Sequence, residues 1–184
     1  MVIRRAKQED IGRLLDLLSE ILEIHAKLRP DLFASGTTKY SRIQLEAMVR
    51  DDTKPIYVAE MDGYVVGYAM CQIRMPSSNM YPVKIFHLDD LCVDEGYRHQ
   101  GIGEALYQKV VEEGKANDCY EITLNAWPGN EAALRFYEKM GLKTRSIFME
   151  QIVKENKRSL YEKEPSSHLP LLCVALLVWA TRGF

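Results

Sequence analysis

Apolar positions recur along this chain with two different periods. Between residues 11 and 22 they fall at Ile11, Leu14, Leu15, Leu18, Ile21 and Leu22, the spacing of one face of a helix. Gln8-Glu9-Asp10 puts acid at the start of that helix, where the positive end of the dipole favours it, and Pro30 marks its end. Residues 2–6 read as a short strand before it. A further helix opens at Ser41, which forms a capping box with Gln44. Residues 56–60 and 64–73 are rich in β-branched and aromatic side chains and are joined across Met61-Asp62-Gly63, a hairpin signal. Residues 76–82, with Ser77, Ser78 and Asn79 between two prolines, form a loop. Residues 83–93 then predict a long central strand. Residues 120–127 predict another, with Ile122 and Leu124 on one face and Thr123 and Asn125 on the other. The next helix begins at an Asn130 N-cap and stops at Gly141, and residues 142–153 predict a last strand. Strands and helices alternating in this way predict an α/β (α+β) fold around one mixed sheet.

The most informative stretch is 87–110. Its apolar run Leu91-Cys92-Val93 stops at the turn formers Asp94, Glu95 and Gly96, and helical spacing resumes with Ile102, Ala105, Leu106 and Val110. Gly101 and Gly103 stand where that helix begins, so no side chain covers the unpaired N–H groups of its first turn. Those donors, the helix dipole and Arg98 would suit an anion such as a pyrophosphate. Gly-Lys-Ser/Thr does not follow, and Leu106 stands where a dinucleotide fingerprint has its third glycine, so both better-known phosphate loops are excluded. A bare Gly-x-Gly also reads as nothing more than a tight strand-to-helix turn.

Composition narrows the partners. With 184 residues, 47% of them hydrophobic and 27% charged, the chain suits a single domain with a real core. The net charge of -2, without a basic block before the tail, argues against nucleic acid. Cys71, Cys92, Cys119 and Cys173 form no Cys-x-x-Cys pair and no apolar leader opens the chain, which predicts free thiols in a reducing cytoplasm. His25, His87, His99 and His168 show no metal-ligand spacing, so no metal is expected.

The pattern Arg98-x-x-Gly101-x-Gly103 after Leu91-Cys92-Val93 resembles the acetyl-CoA motif of the GNAT superfamily of N-acetyltransferases. The run from Asn125 through Trp127, Asn130, Phe136 and Tyr137 to Gly141-Leu142 resembles the family's second motif, so the likeness covers residues 1–153. It implies a mixed, mostly antiparallel central sheet flanked by helices, with splayed central strands. It also implies acetyl-CoA as co-substrate in the gap. The backbone of Leu91, Cys92 and Val93 would pair with the pantetheine arm. Arg98, His99, Gln100, Gly101, Ile102 and Gly103 would hold the phosphates, with Asn130, Ala133 and Tyr137 completing the site. The activity implied is transfer of an acetyl group to a primary amine of a small molecule or protein N-terminus by direct attack in a ternary complex. A homodimer is a family-level expectation, and a non-catalytic acyl-CoA-binding regulatory module is the alternative.

An amine of pKa about 10 must lose a proton before it can attack, and three pKa units correspond to about 4 kcal/mol. The resemblance makes Tyr137 the acid that protonates the departing thiolate, although Leu134, Tyr137 and Met140 also share the spacing of a core face. His87 and Asp89 match the family's positions for a base or a water-holding residue. On an unbulged strand His87, Asp89 and Leu91 share one face, with Leu88, Asp90 and Cys92 on the other. By the same resemblance His25, Arg29, Asp31 and Phe33 line the acceptor pocket, and an acidic pocket using Asp31, Asp89 and Asp90 would favour polycations.

The likeness ends at residue 153. Residues 154–184 form an extension, charged over 154–164 and strongly apolar over 169–180. Twelve apolar residues fall short of the ~20 needed to span a bilayer, so no stable membrane insertion is expected. A frameshift remnant, a segment docking on its own or a partner subunit, and a weak membrane contact are its competing readings.

Overall fold

A computed structural model of the chain describes residues 1–154. The chain falls into two units, Met1–Phe148 and Met149–Phe184. The second is described only as far as Lys154, so the expectations for residues 155–184, the apolar run included, lie outside the described residues.

The described elements are β1 (Val2–Arg5), α1 (Ile11–Leu28), α2 (Arg42–Val49), β2 (Ile56–Met61), β3 (Tyr64–Arg74), β4 (Lys84–Val93), α3 (Ile102–Ala116), β5 (Cys119–Thr123) and α4 (Glu131–Lys139). The strands among them form one sheet in chain order, antiparallel from β1 to β4 and parallel between β4 and β5. The parallel pair needs a crossover, and α3 supplies it. This is the mixed, mostly antiparallel sheet flanked by helices expected from the sequence.

Local chemistry accounts for most boundaries. Ser41 accepts a hydrogen bond from Gln44 N–H and the reciprocal bond is present, so the capping box opens α2. Asp62 and Gly63 have φ of 51° and 78°, the paired left-handed conformation of a tight hairpin turn. Asn130 Oδ1 accepts from Ala133 N–H at 3.1 Å, and Gly141 has φ of 90° after the end of α4.

Two apolar clusters sandwich the sheet. On one face Ile11, Leu14, Leu17 and Leu18 of α1 and Leu45 of α2 pack on Ile56, Val58, Tyr68 and Met70. On the other, Ile102, Leu106 and Val110 of α3 pack on Ala59, Ala69, Phe86 and Leu88. Each fully buried leucine contributes about 2 kcal/mol in transfer terms. Leu17 is completely buried although the helical spacing passed over it, because α1 presents a wider apolar face to the sheet. Gly67 lets β3 and β4 close up beneath α3: a Cβ there would lie 2.8 Å from the Cys92 carbonyl oxygen.

Two strand expectations need correction. Residues 142–153 carry no strand. Their β-prone side chains find no ladder partner, and strand propensity is expressed mainly through such packing. Ile147 and Phe148 stand exposed, while Leu142 packs on the core and an Arg145–Glu121 ion pair at 2.8 Å reaches the sheet. The strand predicted over 120–127 runs only from Cys119 to Thr123, because its pairing with β4 ends at His87↔Thr123.

Candidate active site

The early end of that pairing creates the site. Beyond His87, β4 continues through Leu88 to Val93 without β5 beside it, while the chain after Thr123 leaves toward α4. The edge of β4 at Leu91, Cys92 and Val93 therefore borders a gap whose far wall is α4. An aromatic trio holds that wall to α3: Tyr107 lies 6.3 Å from both Phe136 and Tyr137, whose own centroids are 5.1 Å apart.

The foot of the gap is the start of α3. Gly101 is its N-cap with φ of 78°, a conformation that side-chain-bearing residues rarely adopt, and no atom lies within 4 Å of where its Cβ would be. The first helical bond runs from Ala105 N–H to Gly101 O, so the N–H groups of Ile102, Gly103 and Glu104 point out of the helix end. Gly103 faces Phe136 and Val93, which a Cβ there would meet at 3.5 and 3.8 Å, ordinary contact distances. These are the features an anion with an extended arm requires. His99 and Gln100 lie in the exposed approach to α3, with His99 at φ of 63°.

Arg98, expected at the phosphates, is engaged within the chain. Its Nη2 donates to Glu20 Oε1 at 2.5 Å and its Nε to Val93 O at 3.0 Å, and Glu20 Oε1 also accepts from Glu95 N–H. The guanidinium ties the loop to α1 and to the end of β4. Asn130 likewise spends its side-chain oxygen on capping α4 through Ala133 N–H.

The central strand departs from simple alternation. Met70 pairs with Asp90 and Cys71 with Leu88, so Asp89 is an extra residue in β4, a β-bulge. The face assignment of the unbulged strand is thereby corrected. Phe86, Leu88, Leu91 and Val93 pack on the α3 side, while Asp90 and Cys92 turn to the side of α1 and α2. Asp89 reaches that same side, where its Oδ2 accepts from Tyr40 OH at 2.7 Å and Lys39 Nζ at 2.8 Å. The bulge thus brings two successive carboxylates to one place.

Their environments differ. Burial alone would raise Asp89, but the hydrogen bonds from Lys39 and Tyr40 hold its carboxyl below the usual range. Asp90 is desolvated with Tyr68 OH, 3.2 Å away, as its hydrogen-bond donor, and burial pushes it up to about 6. His87 is buried, with Nδ1 2.9 Å from Thr123 Oγ1, and burial assisted by Arg74 lowers it to about 4. Of these groups Asp90 has the affinity that suits taking up a proton near neutrality. Sequence reasoning set it on the wrong face, since no residue pattern announces a bulge.

On the α4 side of the gap Tyr137 is half-buried, and burial, then the charge of Asp90, raises its hydroxyl well above the ordinary value. It therefore keeps its proton. The thiols of Cys71 and Cys92 are also pushed up by burial, Cys92 to about 12, so neither is a nucleophile near neutral pH.

The expected acceptor residues do converge. Phe33 lies 5.2 Å from the His25 ring and meets Trp127 edge-on at 5.6 Å, and Arg29 lies 5.4 Å over the same indole while pairing with Asp31 at 2.6 Å. The end of α1 is thus joined to the segment between β5 and α4. Sequence reasoning did not single out Trp127 as the partner of Phe33 and Arg29, nor Lys39 and Tyr40 as partners of Asp89; the last two lie at the end of a polar loop with no periodicity to mark them. Of the acids expected in an acidic pocket, Asp31 pairs with Arg29 and Asp89 with Lys39, while Asp90 pairs with neither cation. A cavity of 130 Å³ opens beside Asp89, bordered by Tyr40, Met48, Met70 and Gln72. Among the described residues no His, Cys, Asp or Glu cluster could hold a metal, and no helix is long and apolar enough to cross a membrane.

Comparison with known proteins agrees with this fold. The chain is 25% identical over 134 residues to an uncharacterized N-acetyltransferase of Methanocaldococcus jannaschii, a match covering 72% of this chain and 59% of that protein. It is 30% identical over 152 residues to the thialysine N-epsilon-acetyltransferase of Bos taurus, covering 77% of this chain and 83% of that one. The crystal structure of a tetramutant of a Bacillus halodurans protein superposes with a TM-score of 0.78 at 28% identity, over 83% of this chain and all of that one. The model of the acetyltransferase (GNAT) family matches residues 18–142, and the chain belongs to that family.

Proposed function

We propose that this protein transfers an acetyl group from acetyl-CoA to a primary amine by direct attack, with Asp90 as the base and Tyr137 as the acid. The observation that carries the reading is the β4 bulge. It turns Asp90, whose carboxyl burial pushes up to about 6, to the side of α1 and α2, which this reading takes as the acceptor side, while Tyr137 keeps its proton on α4.

The residues present fit the co-substrate. The exposed N–H groups of Ile102, Gly103 and Glu104, with Gly101 bare beside them, suit the pyrophosphate, and the β4 edge from Leu91 to Val93 suits the amides of the pantetheine arm. Acetyl-CoA supplies the thioester whose carbonyl carbon is attacked. Asp90, ionised above about pH 6, takes the proton from the acceptor's ammonium, directly or through a water. The lone pair so exposed forms the new amide bond. Tyr137 returns a proton to the thiolate that leaves, which keeps the reverse reaction slow. The buried thiols of Cys71 and Cys92 hold their protons, so neither carries the acetyl group as a cysteinyl intermediate. The name of the Bos taurus relative places its substrate among amino acids with a side-chain amine, and a small-molecule primary amine is the acceptor class proposed here.

The test is thiol release from acetyl-CoA with a panel of primary amines, the product identified by mass spectrometry. Tyr137→Phe should lower kcat by about 10- to 100-fold with little change in acetyl-CoA affinity. Unchanged kcat would remove the tyrosine from the chemistry, and no thiol release with any amine would leave a binding module.

A further inference from the structure

The charges on the acceptor side come in opposed pairs, and one of them sits at the centre. Lys39 Nζ donates to Asp89 Oδ2 at 2.8 Å and to the Asp89 carbonyl at 3.3 Å. Tyr40 OH donates to the same carboxylate oxygen at 2.7 Å, and Arg74 Nη2 stands 3.9 Å from its other oxygen. Lys39 also lies 5.5 Å over the Tyr40 ring, so its position is fixed from two sides. The bulge makes this possible by swinging Asp89 out of the strand's alternation toward the segment between α1 and α2.

From that position Lys39 acts on residues of two elements. Its charge disfavours protonation of His25 on α1 and of His87 on β4, and it favours the carboxylate of Asp90. Asp31, the other acid expected to greet a cation, is held by Arg29 Nε at 2.8 Å and Nη2 at 2.6 Å. A polyamine brings several ammonium groups, each needing an acid when it leaves water. Here Asp89 and Asp31 are already engaged by cations, and a second ammonium near Asp89 would approach Lys39 or Arg74 at the cost of like-charge repulsion. An acceptor with one ammonium presents only the group that Asp90 deprotonates.

We propose that Lys39, docked on Asp89 through the β4 bulge and braced by Tyr40, is the specificity-determining residue of the acceptor side, admitting amines with a single positive charge and excluding polycations. This rests on the acceptor side being the face of Asp89 and Asp90, as in the function proposed above.

Two readouts keep the inference separate from that function. The first is calorimetric titration of spermidine into the full chain in the presence of CoA at 0.15 M salt, where non-specific attraction is screened. Lys39→Glu should bind spermidine at least ~10-fold more tightly than wild type, and Lys39→Arg should match wild type. Lys39→Gln, which needs no charge reversal, should move affinity in the same direction by a smaller factor and serves if Lys39→Glu folds poorly. Equal spermidine affinity in wild type, Lys39→Gln and Lys39→Glu would overturn the inference. The second is thiol release from acetyl-CoA with spermidine against ethanolamine. Wild type should favour ethanolamine in kcat/KM and Lys39→Glu should lose that preference; a wild type that favours spermidine would overturn the inference even if acetyl transfer holds. Absence of turnover with every amine, alongside the predicted calorimetric order, would reject the enzymatic reading and leave the charge filter standing.

Discussion

Asp90 and its neighbours illustrate how one inserted residue redistributes chemistry. The types His87, Asp89 and Asp90 were visible as proton-handling candidates in the sequence, yet their roles depended on geometry that alternation could not supply. The bulge pairs Asp89 with Lys39 and Tyr40, leaves Asp90 desolvated against Tyr68, and burial makes His87 a poor base. A pH profile separates the three. Asp90 accepts a proton only as carboxylate, so kcat/KM should rise with pH through about 6 and then follow the acceptor amine. Asp90→Asn should cut kcat/KM by about 100-fold and abolish that limb. His87→Ala should keep a limb near pH 6, since a histidine at about 4 is already neutral there. A limb lost with His87 and kept without Asp90 would reverse the assignment.

At the scale of elements, the helices and the hairpin were legible because each carries its own signals: an apolar stripe in α1, a capping box at α2, Asp62-Gly63 in the hairpin. The ends of β5 and the fate of residues 142–153 were not legible, since a strand stops where its partner stops. The splayed gap that makes the site follows from this, and only the likeness to a family pointed to it beforehand. Element junctions also set part of the stability. Asp10 sits between β1 and α1, its carboxylate accepting from both Arg4 Nη atoms at 2.7 and 2.9 Å and from Lys7 N–H at 2.7 Å. Burial alone would raise its pKa, but the Arg4 bonds lower it. A depressed carboxylate stabilises the fold above the unfolded-state pKa of about 3.9, and that contribution fades as pH falls through the lower folded value. Asp10→Asn should therefore cost about 2 kcal/mol in urea unfolding at pH 7, with the difference shrinking in acid. A difference independent of pH would mean that shape rather than charge is lost.

For the whole molecule, the balanced composition and net charge of -2 gave little beyond an ordinary domain, whereas the order of the two motifs pointed to both family and cofactor. Position adds what residue type cannot: Arg98 braces α1 and β4, Arg29 pairs with Asp31 and Lys39 with Asp89. What joins these parts is the claim that the gap beside β4 and the start of α3 receive acetyl-CoA. Calorimetric titration with acetyl-CoA and with CoA tests it most directly, comparing the natural chain with Gly101→Val, which puts a side chain over the helix donors and strains a residue at φ of 78°. Micromolar binding of both ligands, weakened at least ~10-fold in a folded Gly101→Val, is the expected result. No binding to the natural chain, or equal binding to both proteins, would contradict it.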